Sequence, residues 1–120
     1  MDDLYQEHIL EHYQHPRKKG ELVGASCAGE AHNLSCGDQL SVQLRVDAAG
    51  IVQDVAWSGQ GCAISQAAAS ILAEQLPGKS LKQFQALSLA EVSRELGVDI
   101  SPARAKCAML FVNALVRCEQ

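Results

Sequence analysis

The sequence predicts an α+β domain in which a three-stranded antiparallel sheet packs against several helices in two layers. Three observations support this prediction. Residues 39–47 alternate strictly between apolar and polar side chains, which is typical of a half-buried strand. A stretch with apolar residues at helical spacing precedes this strand, and long Ala- and Leu-rich stretches follow it. Since the order is helix, sheet and then helices, we expect an α+β fold.

The whole chain is predicted to form one domain. Its 120 residues, of which 48% are hydrophobic and 20% charged, lie within the range of globular proteins. No internal repeat, low-complexity tract or linker divides the sequence. We therefore expect a single domain over residues 1–120.

The first helix is predicted from Leu4 to about His15, where apolar side chains recur at helical spacing and Pro16 ends the run. Asp2 or Asp3 can serve as its N-cap. The segment from Gly20 to Gly29 is rich in small residues and lacks periodicity, so it is predicted to be a loop that leads to the sheet.

The three strands are predicted in the middle of the chain. Gln39 to Asp47 has the clearest alternation, and Ile51 to Trp57 follows it after the turn-like sequence Asp47-Ala48-Ala49-Gly50. This pair is expected to form an antiparallel hairpin. A third strand is predicted before the hairpin, at about Glu30 to Leu34.

The second half of the chain is predicted to be helical. Ser88 and Glu91 have the spacing of a capping box, and Ser101-Pro102 supplies an N-cap and a first-turn proline. The predicted helices are Ala63 to Gln75, two stretches that begin after Ser80 and after Ser88, and Ala103 to Arg117.

Charge and hydropathy argue against two classes of partner. The formal net charge is −4 and the pI is about 5.5, whereas phosphate binding needs clustered Lys and Arg. No segment approaches the roughly 20 apolar residues of a membrane-spanning helix, and the start of the chain lacks the apolar stretch of a signal peptide. We therefore expect a cytoplasmic protein with no nucleic-acid or membrane partner.

The cysteine content favours reduced thiols. An odd number of cysteines, five, in a chain without an export signal is more typical of free thiols than of a disulfide framework. Free cysteine is also often buried as a small apolar residue. A chemical role must therefore be argued from the setting of each cysteine.

Three cysteines lie in settings that packing does not explain well. Cys36 and Asp38 flank a glycine, so that a bent loop can present a thiol and a carboxylate together. Cys62 precedes a predicted helix, whose positive end makes a thiol a better nucleophile and ligand. Cys107 follows Lys106, whose positive charge supports the thiolate.

Three thiolates and one carboxylate are a credible four-coordinate ligand set for Zn or Fe. The spacing in sequence does not show that they meet, because the short Cys-x-x-Cys pairs of a zinc ribbon are absent. From the residues alone, a shared metal site and the alternative of a surface turn plus two buried thiols remain open.

A resemblance to a known family bears on this choice. Asn33-Leu34-Ser35-Cys36-Gly37-Asp38 resembles the Asn-Pro-x-Cys-Gly-Asp signature of the U-type iron-sulfur scaffold family, which includes IscU, SufU and the N-terminal domain of NifU. Gly59 to Ser65 resembles the second cysteine motif of this family, and Arg104 to Cys107 resembles the third. Leu4-Tyr5 with His12-Tyr13 resembles the opening helix, so the resemblance covers nearly the whole chain.

The resemblance implies that Cys36, Cys62 and Cys107, helped by Asp38, hold Zn²⁺, Fe or a transient two-iron or four-iron cluster. It implies that sulfur arrives as a persulfide from a pyridoxal-phosphate cysteine desulfurase of the SufS or IscS type. Cys107 or Cys62 would accept this sulfur, with Lys106 supporting the thiolate. The cluster would pass to a downstream Fe-S carrier or apo-protein, and the chain would act without independent turnover.

The chain departs from the subtypes of this family. Lys106 stands where IscU members have His, as in SufU members, but the long insertion of SufU before the last cysteine is absent. Ile100 to Arg104 lacks the Leu-Pro-Pro-Val-Lys that dedicated Hsp70 chaperones recognise in IscU, so a chaperone handoff is not expected. Leu34 replaces the usual Pro of the first motif, which should alter loop rigidity more than ligation.

Three functions are therefore considered. The first is a scaffold that accepts sulfur and carries a nascent cluster on three Cys and one Asp. The second is a zinc-dependent sulfurtransferase that activates the desulfurase and relays sulfur to another scaffold, which Lys106 favours and the missing insertion disfavours. The third is a structural zinc domain without sulfur transfer.

The remaining candidate ligands are weaker. His32 is a candidate imidazole ligand because it lies close to Cys36 in sequence. Cys27 and Cys118 match no motif of the family and are predicted to be incidental. Three histidines of the first helix are predicted to be surface or helix-end residues: His8, His12 and His15.

Overall fold

The centre of the computed structural model is an antiparallel sheet with the strand order β1-β2-β3. The strands are β1 (Cys27–Asn33), β2 (Asp38–Val46) and β3 (Val52–Gln60). The structure describes residues 3–34 and 37–118. Asn33 pairs with Asp38 across the first two strands, so this end of the sheet brings two polar residues together. The predicted three-stranded antiparallel sheet is confirmed.

The alternation of β2 sets the two faces of the sheet. Leu40, Val42 and Leu44 are buried, whereas the intervening polar side chains face away from the core. Asp47 fixes the turn into β3, because its carboxylate accepts hydrogen bonds from the backbone N–H groups of Ala49 and Ile51, both at 2.9 Å. The predicted hairpin is confirmed.

The described residues contain six α-helices, which cover one face of the sheet mainly through the second and the sixth. They are α1 (Asp3–Gln14), α2 (Ala63–Gln75), α3 (Leu81–Gln85), α4 (Leu89–Leu96), α5 (Ala105–Ala108) and α6 (Leu110–Val116). Trp57 of β3, Leu72 of α2 and Phe111 of α6 are among the largest fully buried side chains. No helix in this part of the chain combines the length and apolar character needed to cross a bilayer. The two-layer α+β prediction is confirmed.

Local sequence signals located two of the helices well. The observed α2 has the predicted bounds, and α4 begins at the predicted capping box. Ser88 Oγ accepts from the Glu91 backbone N–H at 3.2 Å, and the Glu91 carboxylate accepts from the Ser88 backbone N–H at 3.0 Å. This hydrogen bond from the backbone lowers the pKa of Glu91 below its usual value.

The prediction of one continuous final helix is wrong. A 3₁₀ turn over Pro102–Arg104 leads into α5, and Met109 then separates α5 from α6 with φ −92° and ψ 0°. No glycine or proline marks this second break. Because five of the seven residues of α6 are buried, its course follows from packing against the sheet and α2 and not from local propensity.

The predicted loop from Gly20 to Gly29 is too long, because β1 already begins at Cys27. The prediction of this strand begins three residues too late, at Glu30, because its first residues are small and lack alternation. Gly29 shows why a small residue is needed there: a Cβ at this position would lie 2.0 Å from the Ala114 carbonyl oxygen of α6. The close approach of the two backbones therefore depends on glycine.

The surface prediction for His12 is also wrong. Its side chain is 5% exposed, and Nδ1 lies 2.7 Å from Ser70 Oγ of α2. The Arg17 backbone N–H donates to the same hydroxyl at 2.8 Å. Desolvation is the largest cause that lowers the pKa of His12, followed by the positive charge of Arg17. The hydroxyl of Ser70 thus links α1, through His12, and the segment after α1, through Arg17, to α2.

Cys27 and Cys118 form a disulfide bond, so the prediction that these two thiols are reduced is wrong. Their Cα atoms lie 5.5 Å apart although 91 residues separate them in sequence. No local sequence signal predicts a bond across this separation, since disulfide connectivity cannot be deduced from cysteine positions alone.

Candidate metal centre

Three elements bring a carboxylate and two thiols together at one end of the sheet. Asp38 is the first residue of β2, Cys62 immediately precedes α2, and Cys107 lies on α5. Their ligand atoms lie within 4.8 Å of one another. The structure thus brings together three of the four predicted ligands.

Cys36, the fourth predicted ligand, lies outside the described residues. Asn33 and Gly37, which lie on either side of the undescribed residues 35–36, are close to the centre. Asn33 pairs with Asp38, and the Gly37 backbone N–H donates to the Asn33 carbonyl at 2.9 Å. Gly37 has φ +75°, a conformation that favours glycine at this point.

The position of Asp38 depends on Gly61. A Cβ at Gly61 would lie 2.6 Å from Asp38 Cγ and 2.5 Å from Ser65 Oγ. Any larger side chain at this position must displace the carboxylate or the hydroxyl. The glycine before Cys62 therefore keeps space for a buried carboxylate, which is 4% exposed.

Cys62 occupies the N-cap position of α2, with φ −70° and ψ 168°. Its thiol lies 4.0 Å from Ser65 Oγ, and Ser65 in turn donates to the Cys62 carbonyl at 3.0 Å. The side chain is half-buried, so it is more accessible than the buried Cys107. The position at the positive end of α2 agrees with the prediction.

Asn33 is a site residue that the sequence analysis did not assign. Its side chain is buried, and Nδ2 donates to Cys107 Sγ at 3.8 Å. A hydrogen bond to a ligand sulfur holds that ligand in place and tunes its charge. The sequence signal that identifies Asn33 is its position at the start of the first cysteine motif, from which only Cys36 and Asp38 are predicted as ligands.

Other candidates are not part of this cluster. His32 is exposed, and its Nε2 lies 2.7 Å from Glu30 Oε1. Lys106 is exposed on α5 beside Cys107. The buried histidine His12 instead contacts Ser70. No histidine in the described ranges belongs to the cluster of candidate ligands.

The chemistry of these donors fits Zn or Fe. Both metals accept thiolate and carboxylate ligands, and ligand atoms of a tetrahedral site lie about 3.3–3.8 Å apart. The three described ligand atoms lie close enough to reach this spacing after shifts on the order of 1 Å. The group of side chains can therefore hold one metal ion or contribute to a small cluster.

The fold and these side chains define a small α+β domain with a thiolate-rich candidate metal centre. The chain matches the family described as NifU-like N terminal domain over residues 4–118, and it belongs to that family. Homologues named IscU and SufU support its place among the U-type iron-sulfur scaffolds.

Curated relatives of two kinds match most of the chain. The zinc-dependent sulfurtransferase SufU of Bacillus subtilis is 33% identical, covering 96% of this chain and 88% of the relative. The iron-sulfur cluster assembly scaffold protein IscU of Escherichia coli K12 is 31% identical, covering 92% and 88%. The bifunctional protein NifU/MnmA of Rubrobacter xylanophilus is 37% identical over 98% of this chain, which spans only 24% of that relative's length.

A solved structure agrees with these relatives. The putative iron-sulfur cluster assembly scaffold protein for the SUF system from Fervidobacterium islandicum AW-1 is 28% identical and superposes with a TM-score of 0.73. The match covers 92% of each chain. The family, the fold and a Cys/Asp centre are thus consistent with iron-sulfur cluster assembly.

Proposed function

We propose that the chain accepts persulfide sulfur from a cysteine desulfurase and binds iron or a nascent iron-sulfur cluster on Cys36, Asp38, Cys62 and Cys107. The observation that carries the proposal is the convergence of one carboxylate and two thiols to within 4.8 Å. These ligands come from β2, the start of α2 and α5, so the folded domain is needed to bring them together. The IscU relative is named as a scaffold of this kind.

Sulfur transfer uses a site thiolate as the nucleophile. Cys62 or Cys107 attacks the outer sulfur of the donor persulfide, the bond between the two donor sulfurs breaks, and the donor cysteine leaves as a thiolate. The acceptor then carries the persulfide. Cys62 is the more accessible of the two described thiols, and the exposed ammonium of Lys106 lies beside Cys107 in sequence and can attract the anionic donor.

The carboxylate of Asp38 allows the centre to release the bound iron or cluster. Carboxylate oxygen binds iron less tightly than thiolate sulfur does, so one coordination position stays labile. The acquired cluster can then pass to a downstream Fe-S carrier or apo-protein in the cytoplasm. Asn33 supports the same centre by donating a hydrogen bond to Cys107.

The first test is anaerobic reconstitution of the full chain with Fe, cysteine and a cysteine desulfurase. Thiolate-to-iron absorption and a persulfide mass increment on Cys62 or Cys107 are expected for the wild type. Both Cys36→Ser and Cys62→Ser should lose the absorption. Normal absorption in these variants would contradict the proposed ligand set, and absence of the mass increment would contradict sulfur acceptance.

The role of Asp38 is tested with Asp38→Ala, for which we expect slower transfer of the reconstituted cluster to an apo-ferredoxin. The decrease is expected because the variant lacks the labile carboxylate position through which the cluster would leave. Asp99→Ala is the matched control, since Asp99 is exposed and does not belong to the cluster of candidate ligands. Faster release from Asp38→Ala than from the control would refute this role.

A second function is favoured by one specific observation. Lys106 precedes the last cysteine, as in SufU members, and the SufU relative is named as a zinc-dependent sulfurtransferase. In this alternative, Zn²⁺ orders the same side chains and one thiolate relays sulfur to another scaffold. Tightly retained zinc, a faster desulfurase and no cluster absorption would favour the relay.

A further inference from the structure

The disulfide between Cys27 and Cys118 joins the same two parts of the fold that meet at the metal centre. β1 begins at Cys27 and ends at Asn33, which contacts Cys107. From Cys107 the chain continues through α6 and reaches Cys118 just after that helix. One end of this β1–α6 pair therefore carries the disulfide, and the other carries the candidate ligands.

The disulfide is spatially separate from the thiols of the candidate metal centre. β1 has seven residues, so Cys27 lies about 20 Å from Asn33 along an extended strand. Cys62 and Cys107 take no part in this disulfide. The disulfide and the candidate ligands therefore lie at opposite ends of β1.

The neighbourhood of the two cysteines does not depend on the bond between them. The close backbone contact at Gly29 places α6 against β1, and a Cβ there would also lie 3.0 Å from the Cys118 backbone nitrogen. Gln85 Nε2 of α3 donates to the Leu115 carbonyl at 2.8 Å. These contacts keep the two sulfur-bearing residues adjacent after the bond is reduced, which favours its re-formation.

We propose that Cys27 and Cys118 form a reversible redox pair whose disulfide fixes the end of α6 to β1 and stiffens the helical segment that follows Cys107. The oxidant is a small-molecule disulfide of the glutathione type. The two thiols lose two electrons and two protons as their S–S bond forms, and the oxidant is reduced to two thiols. An excess of the same thiol reverses the reaction.

Access to the pair comes from the end of α6. Both cysteines are buried, at 7% and 4% exposure, but Val116 and Arg117 immediately before Cys118 are exposed. Fraying of the last helical turn exposes a sulfur without unfolding the sheet. Reduction then removes the covalent restraint on this turn, so that it opens more often.

The pair is tested on the metal-free full chain in a series of glutathione redox buffers. Samples are acid-quenched, denatured, alkylated with N-ethylmaleimide and analysed by peptide mass spectrometry. Cys27 and Cys118 should lose alkylation together as the buffer becomes more oxidising. The matched variant Cys62→Ser should show the same midpoint, since the pair is independent of the site thiols.

Stiffening is measured by hydrogen exchange on folded protein equilibrated in the same redox buffers, before any quench or alkylation. Amides of α6 should exchange about tenfold more slowly in the oxidised wild type than in the reduced one, since a cross-link suppresses opening of the segment it closes. The double variant Cys27→Ser/Cys118→Ser should exchange at one rate in all buffers. Independent alkylation of the two cysteines, or equal exchange in both redox states of the wild type, would overturn the proposal.

Discussion

The candidate metal centre depends on single residues that are not themselves ligands. Gly61 leaves room for Asp38, and Asn33 donates to Cys107. Both contacts bring backbone or amide groups against a candidate ligand and hold it in place. Groups that support the ligands in this way are expected to affect metal affinity nearly as strongly as the ligands do.

Asn33→Ala should weaken the metal centre without removing a ligand. We expect zinc to dissociate about tenfold faster to a chromogenic chelator, because the hydrogen bond to Cys107 sulfur is lost. With Co²⁺ in place of zinc, the thiolate-to-cobalt absorption band should shift. Asn113→Ala on the exposed face of α6 is the control. Unchanged dissociation and an unshifted band would contradict a supporting role for Asn33.

At the scale of secondary-structure elements, hydrogen bonds at the helix ends and contacts between helices fix the arrangement that presents the candidate ligands. α4 starts with a complete capping box, whereas the N-cap of α3, Ser80, makes no side-chain hydrogen bond to its helix. The two serines therefore offer a comparison of similar positions with different contacts.

Ser88→Ala should lower the free energy of unfolding by about 1 kcal/mol, the usual cost of losing an N-cap. Ser80→Ala should change it by only a few tenths, since no cap hydrogen bond is lost. Urea unfolding followed by circular dichroism measures both values. Equal losses in the two variants would show that the capping box of α4 does not contribute as described.

The contact of α1 with α2 makes stability depend on pH. Burial lowers the folded-state pKa of His12 below 6.5, helped by Arg17 and His8 and opposed by Glu74 and Glu11. As the pH falls below 6.5, His12 is therefore protonated in the unfolded chain before it is protonated in the folded chain, which lowers the free energy of unfolding. This loss is complete once the pH has fallen below the folded-state pKa.

We expect the melting temperature of the wild type to fall between pH 7.5 and pH 5.5, an approximate window around the ordinary His pKa. His12→Gln should reduce this pH dependence, while His15→Gln, which changes an exposed histidine, should retain it. Differential scanning fluorimetry across the range is sufficient. A pH dependence in His12→Gln equal to that of the control would exclude His12 as its source.

The elements that could be predicted from the sequence are those with local signals. The alternation of β2 and the capping box of α4 depend on neighbouring residues, so both were located to within a residue. The break at Met109 and the early start of β1 depend on packing between distant segments. For the same reason the resemblance supplied the ligand set, while the contact of Asn33 with Cys107 required the structure.

For the whole molecule, metal binding and folding should be linked, because the ligands converge only in the folded chain. Zinc at about 100 times its dissociation constant should raise the free energy of unfolding by about 3 kcal/mol. The expected observation is a higher melting temperature with zinc than with a chelator. Cys62→Ser should lose most of this difference, and an equal shift in that variant would place the bound zinc elsewhere.

The distribution of the ligands along the chain also has a consequence for biosynthesis. Asp38 and Cys62 lie in the first part of the chain, but Cys107 and α6, which packs against β1, come more than 40 residues later. A ribosome adds about 5–20 residues per second, so the early thiols emerge seconds before their partners. During translation the nascent chain therefore lacks the complete set of candidate ligands until Cys107 has emerged from the ribosome.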